Sequence, residues 1–514
     1  MAARPRLPAV LRALPEGLLL LLVLLAAWAV RLQPGGPGWY PDEGAHIAIA
    51  HSLLRGRAQF LAVHQSVLLF SRLPLFEWLL AGALALAGAG PSGDPTRGLA
   101  VLRALTGWLG LLNTLGLYFV ARPLAQGGGA RRWLPLLAAG LFVVYPAAVT
   151  AGRFGFSYHL LATGLLGAVW AAGRYLSPTG RPWHLAVAAL SVGLGALTDV
   201  WGWSLIPLLL LMVLARHHWG RPWRAALRPL ALAAGLALLP LALFAAHQLL
   251  TVPAAFLFDL RFVLGRVSAY DLRQQAALLA ENAATLLGQD GWLVLGLVGL
   301  CAVRPAGLRT AALLFGLGAL LLLGRTTPLF SLSFYYLIPL LPLVPLGLAA
   351  LVGAVPGRVG PWIVLAAVAG LALSLWVNLS FGPQRAGLLS SPLDEFLVQP
   401  PAAQAVAAYL AAARTPDQLV LASPGLAWLL PGHVADVQMA LAYTGQPTPH
   451  LPATLPPSRY AYSPAFARAQ WVVVDDLWRN WAVYNVGGAA DLLAQAERWP
   501  VAFQSGALTV YRRP

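Results

Sequence analysis

The chain of 514 residues is 59% hydrophobic and only 10% charged, where a soluble domain carries about 25% charged residues. That is too little charge to cover a water-soluble body of this length, which excludes an ordinary globular protein. The net charge of +16 comes from Arg alone, since no Lys is present; in so apolar a chain it reads as a topology signal, not a nucleic-acid footprint.

The first apolar run, Gly17–Val30, follows Arg4, Arg6 and Arg12. No small-residue cleavage site comes after it, so it reads as an uncleaved first helix with a cytoplasmic N-terminus. A long polar loop, 33–99, comes next. Within it Pro74–Gly90 is apolar but short and holds Glu77; it reads as a helix lying along the membrane surface.

Further apolar segments run over 100–121, 133–151, 160–173, 184–198, 203–215, 229–250, 291–303, 309–323, 336–353 and 361–379. A spanning helix needs about 20 such residues. With 74–90 outside the membrane core, Arg122, Arg131, Arg132, Arg174, Arg181, Arg216, Arg221, Arg224, Arg228, Arg304, Arg309 and Arg358 all fall on the cytoplasmic side, as the positive-inside rule asks. The expectation is an all-α polytopic protein of about eleven spans in the cell membrane, with its C-terminus external. The single cysteine, Cys301, lies in an apolar run and excludes a disulfide framework.

Beyond about residue 380 the apolar runs shorten to strand length. Ala402–Ala413 predicts a helix, Gln418–Ala422 and Gln470–Val474 predict strands, and 507–512 predicts one more. The division is therefore 1–380, a transmembrane domain with the external loop 33–99, and 381–514, a small external (periplasmic or extracellular) α/β domain.

Chemistry concentrates in loop 33–99, which reads Trp39-Tyr40-Pro41-Asp42-Glu43-Gly44-Ala45-His46. Pro41-Asp42-Glu43 suits a helix N-terminus, where the dipole welcomes negative charge. The same pair also suits a general base at the bilayer surface. About thirty residues later comes Ser71-Arg72-Leu73-Pro74-Leu75-Phe76-Glu77-Trp78, and then Arg103 opens a hydrophobic helix.

This order of elements resembles the GT-C glycosyltransferases that use polyprenyl-phosphate sugars, in the branch of the protein O-mannosyltransferases, the lipid A aminoarabinose transferases and their bacterial relatives. Gly193–Thr198, Tyr335-Tyr336-Leu337-Ile338-Pro339 and the C-terminal domain are similar to that family too. The resemblance makes Asp42 the catalytic base for an acceptor hydroxyl, with inversion at the sugar. It makes Glu43 the residue that orients Asp42 or the acceptor, or helps to hold a cation. Arg72 would bind the donor phosphate, with Arg153 and His159 as further phosphate contacts. His46 and Tyr336 would touch acceptor or donor.

This sequence departs from the family pattern at His46, where an aromatic is common, and at Leu73, where a second Pro is common. The loop Arg153-Phe154-Gly155-Phe156-Ser157-Tyr158-His159 also lacks the acid that some members carry there. A divalent cation shared by Asp42 and His46 stays open, and no residue is assigned as a metal ligand. The implied partners are a polyprenyl-phosphate sugar, a lipid, glycan or protein acceptor, and membrane lipids.

Among weaker polar candidates, Asp199 reads as a helix end in the aromatic belt beside Trp201 and Trp203. Asp259, Arg261, Arg266, Asp271 and Arg273 form the second-largest external loop, which is placed to cover the donor, and most of them read as a solvated face. Asp475-Asp476 reads as a turn. A transporter, or an inactive scaffold of GT-C type, is the alternative; a transporter would place charges near the midplane, whereas here nearly all map to loops.

Overall fold

The computed structural model describes residues 16–31, 38–56, 60–61, 67–68, 73–91, 95–126, 129–218, 224–267, 271–327, 329, 331–355, 360–381, 397–453 and 455–514. The first part of the chain is helical: α1 (Glu16–Arg31), α2 (Pro41–Leu54), α3 (Pro74–Leu86), α4 (Pro95–Ala121), α5 (Leu134–Val144), α6 (Pro146–Ala151), α7 (Tyr158–Tyr175), α8 (Pro182–Thr198), α9 (Leu205–His218), α10 (Arg224–Thr251) and α11 (Pro253–Val267). A minimal antiparallel pair, β1 (Phe60–Leu61) with β2 (Val67–Leu68), lies between α2 and α3.

Helix occupies every apolar segment that the sequence singles out. Among the described residues, Thr96–Ala125, Val200–His217, Arg224–Thr251 and Ala306–Gly324 are each long and apolar enough to cross a membrane. The bent pair Leu272–Gly288 and Gly291–Ala302 brings these to as many as 5. Of the remaining segments, 361–379 lies in the 22-residue helix Gly360–Phe381 and 160–173 in the 18-residue α7, while the others carry shorter or broken helices. One break has a plain cause: α5 stops at Tyr145, which is extended at φ −68 and ψ 114, because the Pro146 ring disfavours helical backbone just before it.

At 13 residues, α3 is about 20 Å long, well short of the roughly 30 Å hydrocarbon core. It packs on α2, burying Phe76, Leu80 and Leu84 with Ile47 and Ala48. The end of α1 is tied to the bundle by Arg31, 3% exposed. Its guanidinium donates to Gly110 O at 2.7 Å, Thr114 Oγ1 at 2.7 Å and Phe142 O at 2.9 Å. A Cβ on Gly110 would lie 2.9 Å from Arg31 Cδ, so the missing side chain is what admits the arginine.

Residues 397–514 form an α/β unit around a five-stranded sheet of order β4-β3-β5-β7-β6. Its strands are β3 (Leu419–Leu421), β4 (Val434–Ala435), β5 (Ala469–Val474), β6 (Val501–Ser505) and β7 (Leu508–Arg512). β4, β3 and β5 run parallel, whereas β7 and β6 close the other edge antiparallel. The expected helix appears as Pro400–Ala413, and the three expected strands as β3, β5 and β7. β4 and β6 were not expected. β4 has only two residues, and β6 has only the short apolar run Val501-Ala502-Phe503 before Gln504 and Ser505.

This unit sits on the start of α2. Trp39 and Val398 exchange backbone hydrogen bonds of 3.1 and 3.0 Å, and Trp39 Nε1 donates to Gly425 O at 2.6 Å. The Trp39 ring meets Trp428 edge-on at 5.4 Å. Gly44 permits this approach, since a Cβ there would fall 2.3 Å from Trp428 Cδ1.

Candidate functional site

The site begins with the N-terminus of α2. Tyr40 is extended at φ −84 and ψ 145, and Pro41 opens the first turn, a position where its missing N–H costs nothing. Asp42 and Glu43 follow, and their environments diverge at once. Glu43 is fully buried. Its two oxygens accept four hydrogen bonds, from Arg103 Nε at 2.9 Å, Arg103 Nη2 at 3.0 Å, Gly155 N at 2.7 Å and Tyr40 N at 2.9 Å. One carboxylate thus joins α2, α4 and the turn before α7. Its lone pairs are all in use.

Asp42 instead is half-buried and borders a group of aromatic rings. Tyr40 packs edge-on against Phe156 at 5.4 Å and Tyr335 at 6.0 Å. Tyr335 stacks on both Phe156 and Tyr158 at 5.4 Å and tilts against Tyr336 at 4.6 Å. The Asp42 charge lies within electrostatic reach of the Tyr40, Tyr158 and Tyr335 hydroxyls. A carboxylate between water and an aromatic wall can take a proton from a bound hydroxyl. Aromatic faces with a few polar groups also form the usual lining of a small-ligand site.

The other expected site residues divide. Tyr336 belongs to the aromatic group, on the 3₁₀ segment Ser331–Leu340. Arg153 is half-buried on the turn whose Gly155 N–H reaches Glu43. Arg72 lies outside the described residues, as does the stretch 32–37. His46 points to α3, where Nδ1 pairs with Glu77 Oε1 at 2.8 Å and the ring meets Phe76 at 4.9 Å. Both partners are buried, at 2% and 1% exposed. This pair holds α3 on α2.

His159 is buried too, with Nε2 3.0 Å from Ala151 O. It lines a small cavity with Arg31, Asn113 and Phe142. Among the described residues, no three or more His, Cys, Asp or Glu gather where they could hold a metal ion.

Two roles are invisible in the sequence. Arg103 marks a helix start there, but in the fold it clamps Glu43. Asp259, expected on a solvated face, is fully buried, and Arg459 Nη2 binds its two oxygens at 3.0 and 2.8 Å. That ion pair ties α11 to the C-terminal unit. Only the bare acidity of Asp259 in an apolar stretch hinted at it.

No protein-family profile matches the sequence, and no curated protein does. Solved structures do. ArnT from Cupriavidus metallidurans bound to undecaprenyl phosphate superposes with a TM-score of 0.61 at 16% identity, covering 96% of this chain and 97% of that one. Its apo state gives 0.59 at 17% identity over the same shares. The Archaeoglobus fulgidus oligosaccharyltransferase tethered to an acceptor peptide gives 0.52 at 13%, covering 94% of this chain and 72% of that one.

The chain has the GT-C fold. The likeness extends through the C-terminal unit as well as the helical body, as the coverage of both ArnT structures requires.

Proposed function

We propose that the protein is a membrane glycosyltransferase that moves a sugar from a polyprenyl-phosphate carrier to an acceptor hydroxyl on the external membrane face. The observation that carries this reading is the divergence of the two adjacent carboxylates. Glu43 is consumed by structure, while Asp42 is held half-open against a wall of aromatic rings. The solved ArnT structure that contains undecaprenyl phosphate supports the choice of carrier.

In the reaction, Asp42 takes the proton of the acceptor hydroxyl as that oxygen attacks the anomeric carbon. The bond from this carbon to the phosphate oxygen breaks, and the lipid phosphate leaves with the electron pair. Attack opposite the leaving group inverts the anomeric centre. Glu43 positions Asp42 by fixing the first turn of α2. Arg72 and Arg153 offer guanidinium groups to the phosphate, which they grip through paired N–H donors. The acceptor is a lipid, a glycan or a protein.

The accompanying topology has a cytoplasmic N-terminus, about eleven spans over 1–380, and an external domain over 381–514. The purified protein, given a panel of labelled polyprenyl-phosphate sugars with hydroxyl acceptors, should release polyprenyl phosphate from at least one. Absence of release across the panel would remove the enzymatic reading.

A further inference from the structure

The fold brings a further carboxylate, Asp199, to the end of α8 beside the first turn of α7. α7 and α8 are joined by the short connection 176–181 and run antiparallel, so the first turn of α7 lies beside the last turn of α8. Glycines draw them together. A Cβ on Gly195 would meet Leu161 Cδ1 at 3.0 Å, and one on Gly164 would meet Ser191 O at 3.1 Å. Asp199 follows Gly195 by one turn, and Tyr158 precedes Leu161 by about one turn. The two residues therefore meet at the same end of the helix pair.

Tyr158 feels both carboxylates, Asp199 more strongly than Asp42. It also stacks on Tyr335 at 5.4 Å, and Tyr335 touches Tyr40, two residues before Asp42. Asp42 and Asp199 thus flank one group of tyrosine rings. Asp199 is half-buried, and Oδ1 accepts the Trp201 N–H at 2.8 Å, which orients the carboxylate.

We propose that Asp199 is the second carboxylate of the donor site, accepting hydroxyl groups of the carrier-linked sugar ring as that ring lies on the tyrosine wall opposite Asp42. The inference rests on the donor reading above. A sugar ring suits this arrangement, because its C–H faces pack on aromatic rings while its hydroxyls need acceptors. Charged acceptors bind hydroxyls more tightly than neutral ones. Asp199 then recognises the sugar and not the phosphate, a division that can be measured.

The test compares the full-length protein with Asp199→Asn and Asp199→Ser, both of which can still cap Trp201 N–H. The probes are undecaprenyl phosphate alone and undecaprenyl phosphate carrying each of several sugars. The wild type should bind one glycosylated carrier more tightly than the bare carrier. Both variants should bind the bare carrier as the wild type does and lose about tenfold or more of the preference for the sugar. Wild-type preference in a folded variant would reduce Asp199 to a turn cap and overturn the assignment. A wild type with no preference for any glycosylated carrier would overturn it as well. A wild type that binds neither form would instead sink the donor reading itself.

Discussion

Arg103 holds Glu43 through two donors, Nε on Oε1 at 2.9 Å and Nη2 on Oε2 at 3.0 Å, and its Nη2 also donates to Gly38 O at 2.6 Å. The arginine therefore fixes both the entry into α2 and the residue next to Asp42. With the Glu43 side chain fully exposed to hydrogen-bond donors and not to water, the geometry of the Asp42 turn depends on this pair.

Removing one partner should cost more than removing both. Glu43→Gln leaves the Arg103 charge facing a neutral amide and should destabilise the protein by about 1–3 kcal/mol. The double variant Glu43→Gln with Arg103→Met should recover part of that loss, because no unmatched charge remains. Thermal unfolding of the double variant and both single variants checks this. A double variant that melts below Glu43→Gln by the full cost of Arg103→Met alone would mean the pair is not coupled.

Asp42→Asn should abolish turnover while leaving expression and melting unchanged. Asn keeps the shape of the side chain and serves as well as Asp at a helix N-terminus, but it does not accept the proton. Loss of a general base typically costs 10²–10⁴-fold in rate. Near-normal transfer by the folded variant would return Asp42 to the role of a helix-end charge.

Arg72→Ala should weaken donor use more than Arg72→Lys does. Loss of a charged hydrogen-bonding group costs about 1.5–3 kcal/mol, or roughly tenfold and more in transfer rate. Wild-type kinetics in Arg72→Ala would make it an arginine that only reaches for the membrane surface.

A reporter that is active only outside the cytoplasm, fused after Pro514, should be active. The motive is the proposed topology, which assigns the arginine-rich loops to the cytoplasmic side. A signal from a cytoplasmic reporter at the same place would invert the topology.

The C-terminal unit should lose stability as the pH rises from about 4 to about 6. Burial pushes the Asp436 carboxyl up to about 6, and burial also raises that of Asp475. In that window the folded unit keeps a proton that the unfolded chain, with an ordinary carboxyl near 3.9, has already released. Protonation therefore favours the fold at low pH, and the advantage is gone above the folded value. Asp436→Asn keeps the cap on Met439 N–H, which Asp436 provides at 2.8 Å, and should flatten the profile. Hydrogen exchange of Val437–Tyr443 in the full protein, followed from about pH 4 to about pH 6, reads the effect.

The sequence by itself determined the class of the molecule. Local composition shows which runs are apolar enough to be helices in a membrane, and Tyr40-Pro41-Asp42-Glu43 announces a helix start because proline and acids suit that position. Strand-length runs such as Gln470–Val474 were legible for the same reason. The tertiary structure alone decided what each charge does. Glu43 meets Arg103 from another helix, His46 meets Glu77 from the next one, and Asp259 meets Arg459 across 200 positions of chain. No local spacing encodes such pairings, because each depends on which helix faces are pressed together. The separation of Asp42 from Glu43 is the sharpest case: two acids adjacent in the chain point about 100° apart around a helix, one into a closed set of donors and the other toward the tyrosine wall.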